Sequence, residues 1–240
     1  MDCAVSWPPL TPFTKLVMAV LLGAFVLLAL LEGTTGVPLS AVLALDTQTL
    51  GVHTAWQVPA WSLVIPFRQG SLIDAALALF FAYLIVAPFD VRYGARNALA
   101  LLGWCTLGAT LAAVAGGQLL GLLFERPSDP LYGSSPALWG LLVGGLFASP
   151  GDRVMVFGRF EAKRWHILLV VLVFSSFPVL QTRGAAVSSF FATWGAVGAA
   201  VLWARLRGSP KRPMRKPPAR RPAHLRVIDG GREEPPKVLH

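Results

Sequence analysis

The sequence predicts an all-α, polytopic membrane protein with six transmembrane helices. Three observations carry this. Apolar residues make up 55% of the 240 positions and charged residues only 14%, which is too apolar and too charge-poor for a soluble domain of this size. The apolar residues fall in windows near the ~20 residues that cross a hydrocarbon core, separated by short charged clusters. Backbone groups in lipid must be satisfied within their own segment, so each window reads as a helix.

The first span is Phe13–Leu31. It is long for a signal-peptide core, and the LEGTTGVPLS that follows is a poor cleavage site, so the span is read as retained. The loop from Glu32 to Gly70 is unusually long. Its apolar pieces, VPLSAVLAL and TAWQVPAWSLVIPF, are broken by Pro59 and Pro66. Trp56 and Trp61 suit the headgroup layer, where amphipathic rings settle. The loop is expected to hold structure of its own, half in the bilayer.

The second and third spans are Ser71–Phe89 and Asn97–Phe124. The fourth, Ser135–Ala148, is short and is expected to continue toward Val156. Trp165–Leu180 and Ala185–Ala204 complete the six. Residues 1–206 then form a membrane domain. Residues 207–240 form a tail rich in proline and positive charge, expected to be disordered.

Orientation follows from the loop cations. Lys15, Arg92, Arg96, Arg153, Arg159, Lys163, Arg164 and the tail fall on one side, against Arg68, Arg126 and Arg183 on the other. Both termini are therefore expected in the cytoplasm, and the expected location is a bacterial inner membrane. Cys3 and Cys105 have no metal-type spacing and predict neither a disulfide nor a metal site. No cofactor is expected.

The order of these features resembles the rhomboid intramembrane proteases. The likeness runs over most of Leu16 to Leu206. A first helix leads to a long tryptophan-bearing loop, here AWSLVIPF. RQGSLIDAALALFF then looks like the start of the rhomboid second helix, HGSxxHxxxN. Gly94, Ala95 and Arg96 look like the family's turn into the third helix. Gly133, Ser134, Ser135 and Pro136, followed by ALWGLL, fit the Gly-x-Ser-Gly frame that opens the fourth, with proline for the second glycine. FFATWGAVGAAVL looks like the last helix, usually Ala-His-x-Gly-Gly.

The resemblance implies a site, and the residues can be tested against it. In the family a serine attacks the peptide carbonyl, a histidine of the last helix takes its proton, and a histidine and an asparagine of the second helix hold the oxyanion. Ser135 matches the nucleophile. The base position falls on Thr193, which cannot act as a general base near neutral pH. The second-helix positions fall on Gln69, Asp74 and Ala78, and alanine's side chain offers an oxyanion no donor. Of the four histidines, His53 lies in the long loop, His166 at the opposite side of the membrane, and His224 and His240 in the tail. The Ser-Ser-Pro sequence gives Ser135 a structural reading as helix N-cap, with Pro136 at the first helical position. The missing base decides for the cap.

Asp74 has two readings, an intramembrane functional carboxylate or a helix-start residue favoured by the helix dipole; the second is preferred. Gly195 with Ala199, and Ala196 with Ala200, are small residues at i, i+4 and permit close helix contact within the bundle, with Gly140, Gly144 and Gly145 able to meet them. The tail is expected to meet anionic lipid headgroups. It has no Phe, Tyr or Trp to stack on bases, so no nucleic-acid partner is expected.

The function that the resemblance implies is that of a non-catalytic rhomboid homologue binding the transmembrane segments of client proteins. The alternatives are an active rhomboid-type serine protease using Ser135, and a small transporter or channel. Against the last, Asp74 is the only acidic residue placed inside a span and no paired intramembrane charges mark a route.

Overall fold

The structure is a computed structural model, and it describes residues 9–47, 55–65, 71–124, 130–149, 153–156, 160–181 and 186–207. The tail, Cys3, His53, Gln69, His224 and His240, and the expectations attached to them, lie outside the described residues.

Six long helices form where the apolar windows predict them. They are α1 (Pro12–Thr35), α4 (Ser71–Tyr93), α5 (Ala95–Phe124), α6 (Ser135–Ala148), α7 (Arg164–Gln181) and α8 (Val187–Arg207). Two short helices, α2 (Leu39–Leu43) and α3 (Gln57–Ala60), and a 3-10 turn at Trp61–Leu63 lie in the long loop. Four stretches are long and apolar enough to cross a membrane, namely Pro12–Thr35, Leu72–Tyr93, Ala95–Leu119 and Val187–Arg207. Ser135–Ala148 and Arg164–Leu180 are shorter apolar helices.

Local signals set the ends. Thr11 caps α1, its hydroxyl accepting from the Thr14 amide at 3.2 Å, with Pro12 just inside. Gly94 alone separates α4 from α5, at φ 83°, a conformation that other residues rarely adopt. α6 does not continue to Val156, contrary to the sequence expectation. It ends at Ala148, and β1 (Arg153–Val156) pairs antiparallel with β2 (Phe160–Lys163). Pro150 drives the residue before it out of helical geometry, and Ser149 is indeed extended at φ −81°, ψ 134°.

The core lies where α5, α6 and α8 meet, and small residues build it. A methyl added at Gly140 would stand 2.7 Å from Cys105 Sγ and 3.0 Å from Ala196 Cβ. One at Gly144 would stand 2.7 Å from Leu101 Cδ2 and 3.3 Å from Ala200 Cβ. One at Gly195 would stand 2.3 Å from both Ala112 Cβ and Gly108 O. The backbones therefore touch almost directly, as lipid-embedded helices do when small residues line the contact. Ala196 and Ala200 meet Gly140 and Gly144 as the sequence suggests, whereas Gly145 faces Phe89 of α4 instead, and Gly195 and Ala199 turn to α5.

Hydrogen bonds mark the two ends of the bundle. At one end Thr11 donates to the Asp90 carboxylate, joining α1 to α4. The Tyr93 hydroxyl lies 3.1 Å from Ser149 Oγ, and Arg164 Nη2 donates to Ser149 O at 2.7 Å. Arg207 donates to Asn97 Oδ1, joining α8 to α5. This end carries Lys15, Arg92, Arg96, Lys163, Arg164 and Arg207, and is called the basic end below. The opposite end carries the described parts of the long loop and is called the loop end.

Trp61 departs from its expected headgroup position. It is completely buried, and its indole N–H donates to Thr110 Oγ1 on α5 at 3.0 Å. That acceptor turns an amphipathic ring into a core anchor. Trp56 remains exposed.

Candidate functional site

The approach to Ser135 is built by the long loop. Leu45 and Leu131 exchange backbone hydrogen bonds of 2.8 and 2.9 Å. The Gly133 N–H donates to Trp61 O at 3.0 Å, with Gly133 held at φ 101°. The loop thus clasps the strand-like segment that leads into α6.

Ser135 is not the cap. α6 begins at Ser135, so Ser134 occupies the cap position and makes no side-chain cap bond. Ser134 is already in right-handed helical geometry, at φ −76°, ψ −9°. Pro136 at the second helical position has no N–H to offer, which removes one of the two donors a cap uses. Ser135 itself is exposed, and its hydroxyl forms no hydrogen bond with another described residue.

Ser135 and Thr193 lie one helical turn beyond the contact that joins α6, α7 and α8. Val143 of α6, Val171 of α7 and Val197 of α8 pack together, with Trp139 and Val201 against them. Ser135 continues the α6 stripe Trp139–Val143 by one turn, and Thr193 continues the α8 stripe Val197–Val201 by one turn. Gly140 meets Ala196 and Gly144 meets Ala200, so α6 and α8 run parallel in a fixed register. That register sets Thr193 level with Ala137, about 3 Å of helical rise from Ser135. Thr193 is buried, and its hydroxyl donates to Ser189 O at 2.9 Å in its own helix. A hydroxyl is far too weak a base to take the Ser135 proton at neutral pH.

The second-helix residues do not join them. Asp74 is exposed in the first turn of α4, where a carboxylate suits the helix dipole. Ala78 packs with Phe25, Ile65 and Ala75, toward α1. His166 stands in the first turn of α7 at the basic end, stacked on Trp165, with Nδ1 accepting the Lys163 N–H at 3.2 Å. The α6 N-terminus is at the loop end, so His166 is a helix length away from Ser135. Among the described residues no three His, Cys, Asp or Glu side chains gather as a metal site would require.

One feature of this end was missed in the sequence. A cleft of about 380 Å³ opens between α7 and α8, lined by Ser176, Val179, Leu180, Val187, Phe190 and Phe191. Pro178 inside α7 removes the bond that the Phe174 carbonyl would otherwise accept. Ser176, the one polar lining residue, donates to Leu172 O at 2.7 Å and leaves the wall apolar. Proline within an apolar run was the only sequence signal for it.

Fold and site together define a helical integral membrane protein. No family model and no curated protein sequence matches the chain.

Proposed function

We propose that this protein is a six-span, rhomboid-like membrane protein that binds the transmembrane segments of client proteins without cutting them. The observation that carries this is the α6–α8 register. A serine stands at the start of α6, level with the position where the family has its base, and that position holds a buried threonine whose hydroxyl is committed to Ser189 O. No described residue at that level can activate Ser135. The α7–α8 cleft supplies an apolar seat for a client helix at the same end of the bundle. The six long helices run alternately up and down, which supports six crossings, with α6 and α7 as short spans. The cations gathered at the basic end support cytoplasmic termini, and a bacterial inner membrane is the setting that the resemblance implies.

The test uses the purified chain in liposomes with single-span substrates and a serine-directed phosphonate. The expected result is no cleavage and no labelling of Ser135. A photo-crosslinking residue placed at Leu180 should capture single-span membrane proteins, and Ser135→Ala should leave that capture intact. Cleavage by the unmodified chain that disappears in Ser135→Ala would establish the protease instead.

A further inference from the structure

We propose that the ends of α4, α5 and α8 at the basic end form a docking site, centred on Asn97, for the phosphate of an anionic phospholipid in the adjoining leaflet. The site lies on the membrane domain itself, so it depends neither on the client-binding reading nor on the tail.

The site is built on a row of rings. Tyr93 and Phe89 of α4 lie 4.6 Å apart between centroids, and Phe89 and Trp203 of α8 lie 6.5 Å apart. An arginine covers each end of the row. The Arg92 guanidinium lies 5.4 Å from the Tyr93 centroid and that of Arg207 lies 4.9 Å from the Trp203 centroid, both within cation–π range. Asn97, in the first turn of α5, ties the two ends together. Its Nδ2 donates to Tyr93 O at 2.6 Å, and its Oδ1 accepts from Arg207. Arg96, its neighbour in the chain, is exposed.

These contacts use few of the donors present. A guanidinium held over a ring still presents an edge of N–H groups, which matches a phosphate with two parallel bonds. Arg207 gives one nitrogen to Asn97 and keeps the others. Arg92, Arg96, Arg205 and Arg207 are all exposed. Among the described side chains the only acid at this end is Asp90, which is buried and takes the Thr11 hydroxyl. The described part of the chain therefore gives the cluster no counter-anion. A cation that only sets topology needs no fixed position. Here rings and an amide hold the cations in place, which lowers the ordering cost of binding an anion. Apolar surface beside the cluster says where the phosphate comes from. Leu202 and Leu206, 50% and 72% exposed on α8 just before Arg207, offer acyl chains a wall directly below the charge. Charge above an apolar wall suits a phospholipid rather than a soluble phosphate.

The test titrates phosphatidylglycerol or phosphatidylcholine into the full chain in detergent and counts bound lipid by native mass spectrometry. The unmodified chain should retain phosphatidylglycerol in preference to phosphatidylcholine. Arg207→Gln should weaken that retention about ten-fold, through loss of charge-assisted bonds to the phosphate. Arg205→Gln removes the same charge from the same turn of α8 and should weaken it far less, since Arg205 has no described contact with the row. Arg207→Lys keeps the charge but loses the planar fork, and should weaken retention nearly as much as Arg207→Gln. The tail is intact in every sample, so its own binding is common to all of them. If Arg207→Gln fails to fold, Arg207→Lys alone decides. Equal losses in Arg205→Gln and Arg207→Gln, or full retention in Arg207→Lys, would overturn the site. Equal retention of the two lipids by the unmodified chain would also overturn it. So would displacement of the lipid by excess glycerol phosphate, which would assign the cluster to a soluble anion.

Discussion

Helices α8 and α7 are neighbours, both apolar, and they behave in opposite ways. α8 is the least apolar of the four long candidate spans and the most buried. Its inward face is Ala192, Thr193, Ala196, Val197 and Ala200. α7 carries larger apolar side chains, yet Leu172, Val173, Phe174, Phe177 and Leu180 remain exposed. In water this would be backward. In lipid, exposing a leucine costs almost nothing, because acyl chains are as apolar as the side chain. What selects the centre of the bundle is how closely two backbones can approach. Small residues win that selection, and large ones are left at the periphery, where a client helix could meet them.

This contrast can be broken most directly at Gly195. A methyl there would collide with Ala112 Cβ and Gly108 O. Gly195→Ala should destabilise the fold by about 1–3 kcal/mol in reversible unfolding in mixed micelles, and Gly195→Leu by more. Gly198, on the same helix, has nothing within 4 Å of such a methyl, so Gly198→Ala should be neutral or slightly stabilising. Equal effects at the two positions would remove the close-packing argument.

A smaller effect is expected at the loop's anchor on α5. Trp61→Phe deletes the indole donor to Thr110 and should cost about 0.5–1.5 kcal/mol. Exchange of the Gly133 amide should quicken, because its acceptor is Trp61 O. On α7, Phe174→Ala should change stability by less than about 0.5 kcal/mol, while crosslinking to client helices falls. A large loss of stability there would mean that α7 belongs to the core. Ser135→Ala should also stay within about 0.5 kcal/mol, since no cap bond is lost. Thr193→His should yield no efficient protease, as Ala78 still faces Phe25 and Ile65.

The helices were legible because their cause is local: an apolar window of the right length. So was the α6–α8 contact, because small residues four apart declare a face. Ser135 and Thr193 are paired in the sequence only through the resemblance, and it is the α6–α8 register that sets them about two residues apart in height. Trp61 could not be read correctly, since its fate depends on Thr110, which only the fold brings within 3.0 Å. The cap at Ser135 was misplaced by one residue, because a backbone already helical at Ser134 outweighs side-chain preference. The break after α6 was visible in Ser149–Pro150, but four-residue strands are too short for a period of two to show itself. The α7–α8 cleft arises between two helices, and Pro178 inside α7 is its one trace in the sequence.

The bridge between Leu45 and Leu131 joins segments made at very different times. Leu45 leaves the ribosome before α4 and α5 exist, and its partner follows only after both. Trp61 likewise waits for Thr110, and its carbonyl waits for Gly133. Until residue 133 has been made, the long loop is therefore an apolar segment without its acceptors and donors, open to proteases and chaperones on its side of the membrane. Nascent chains arrested before Leu131 should be cut in this loop, and chains released after α8 should not.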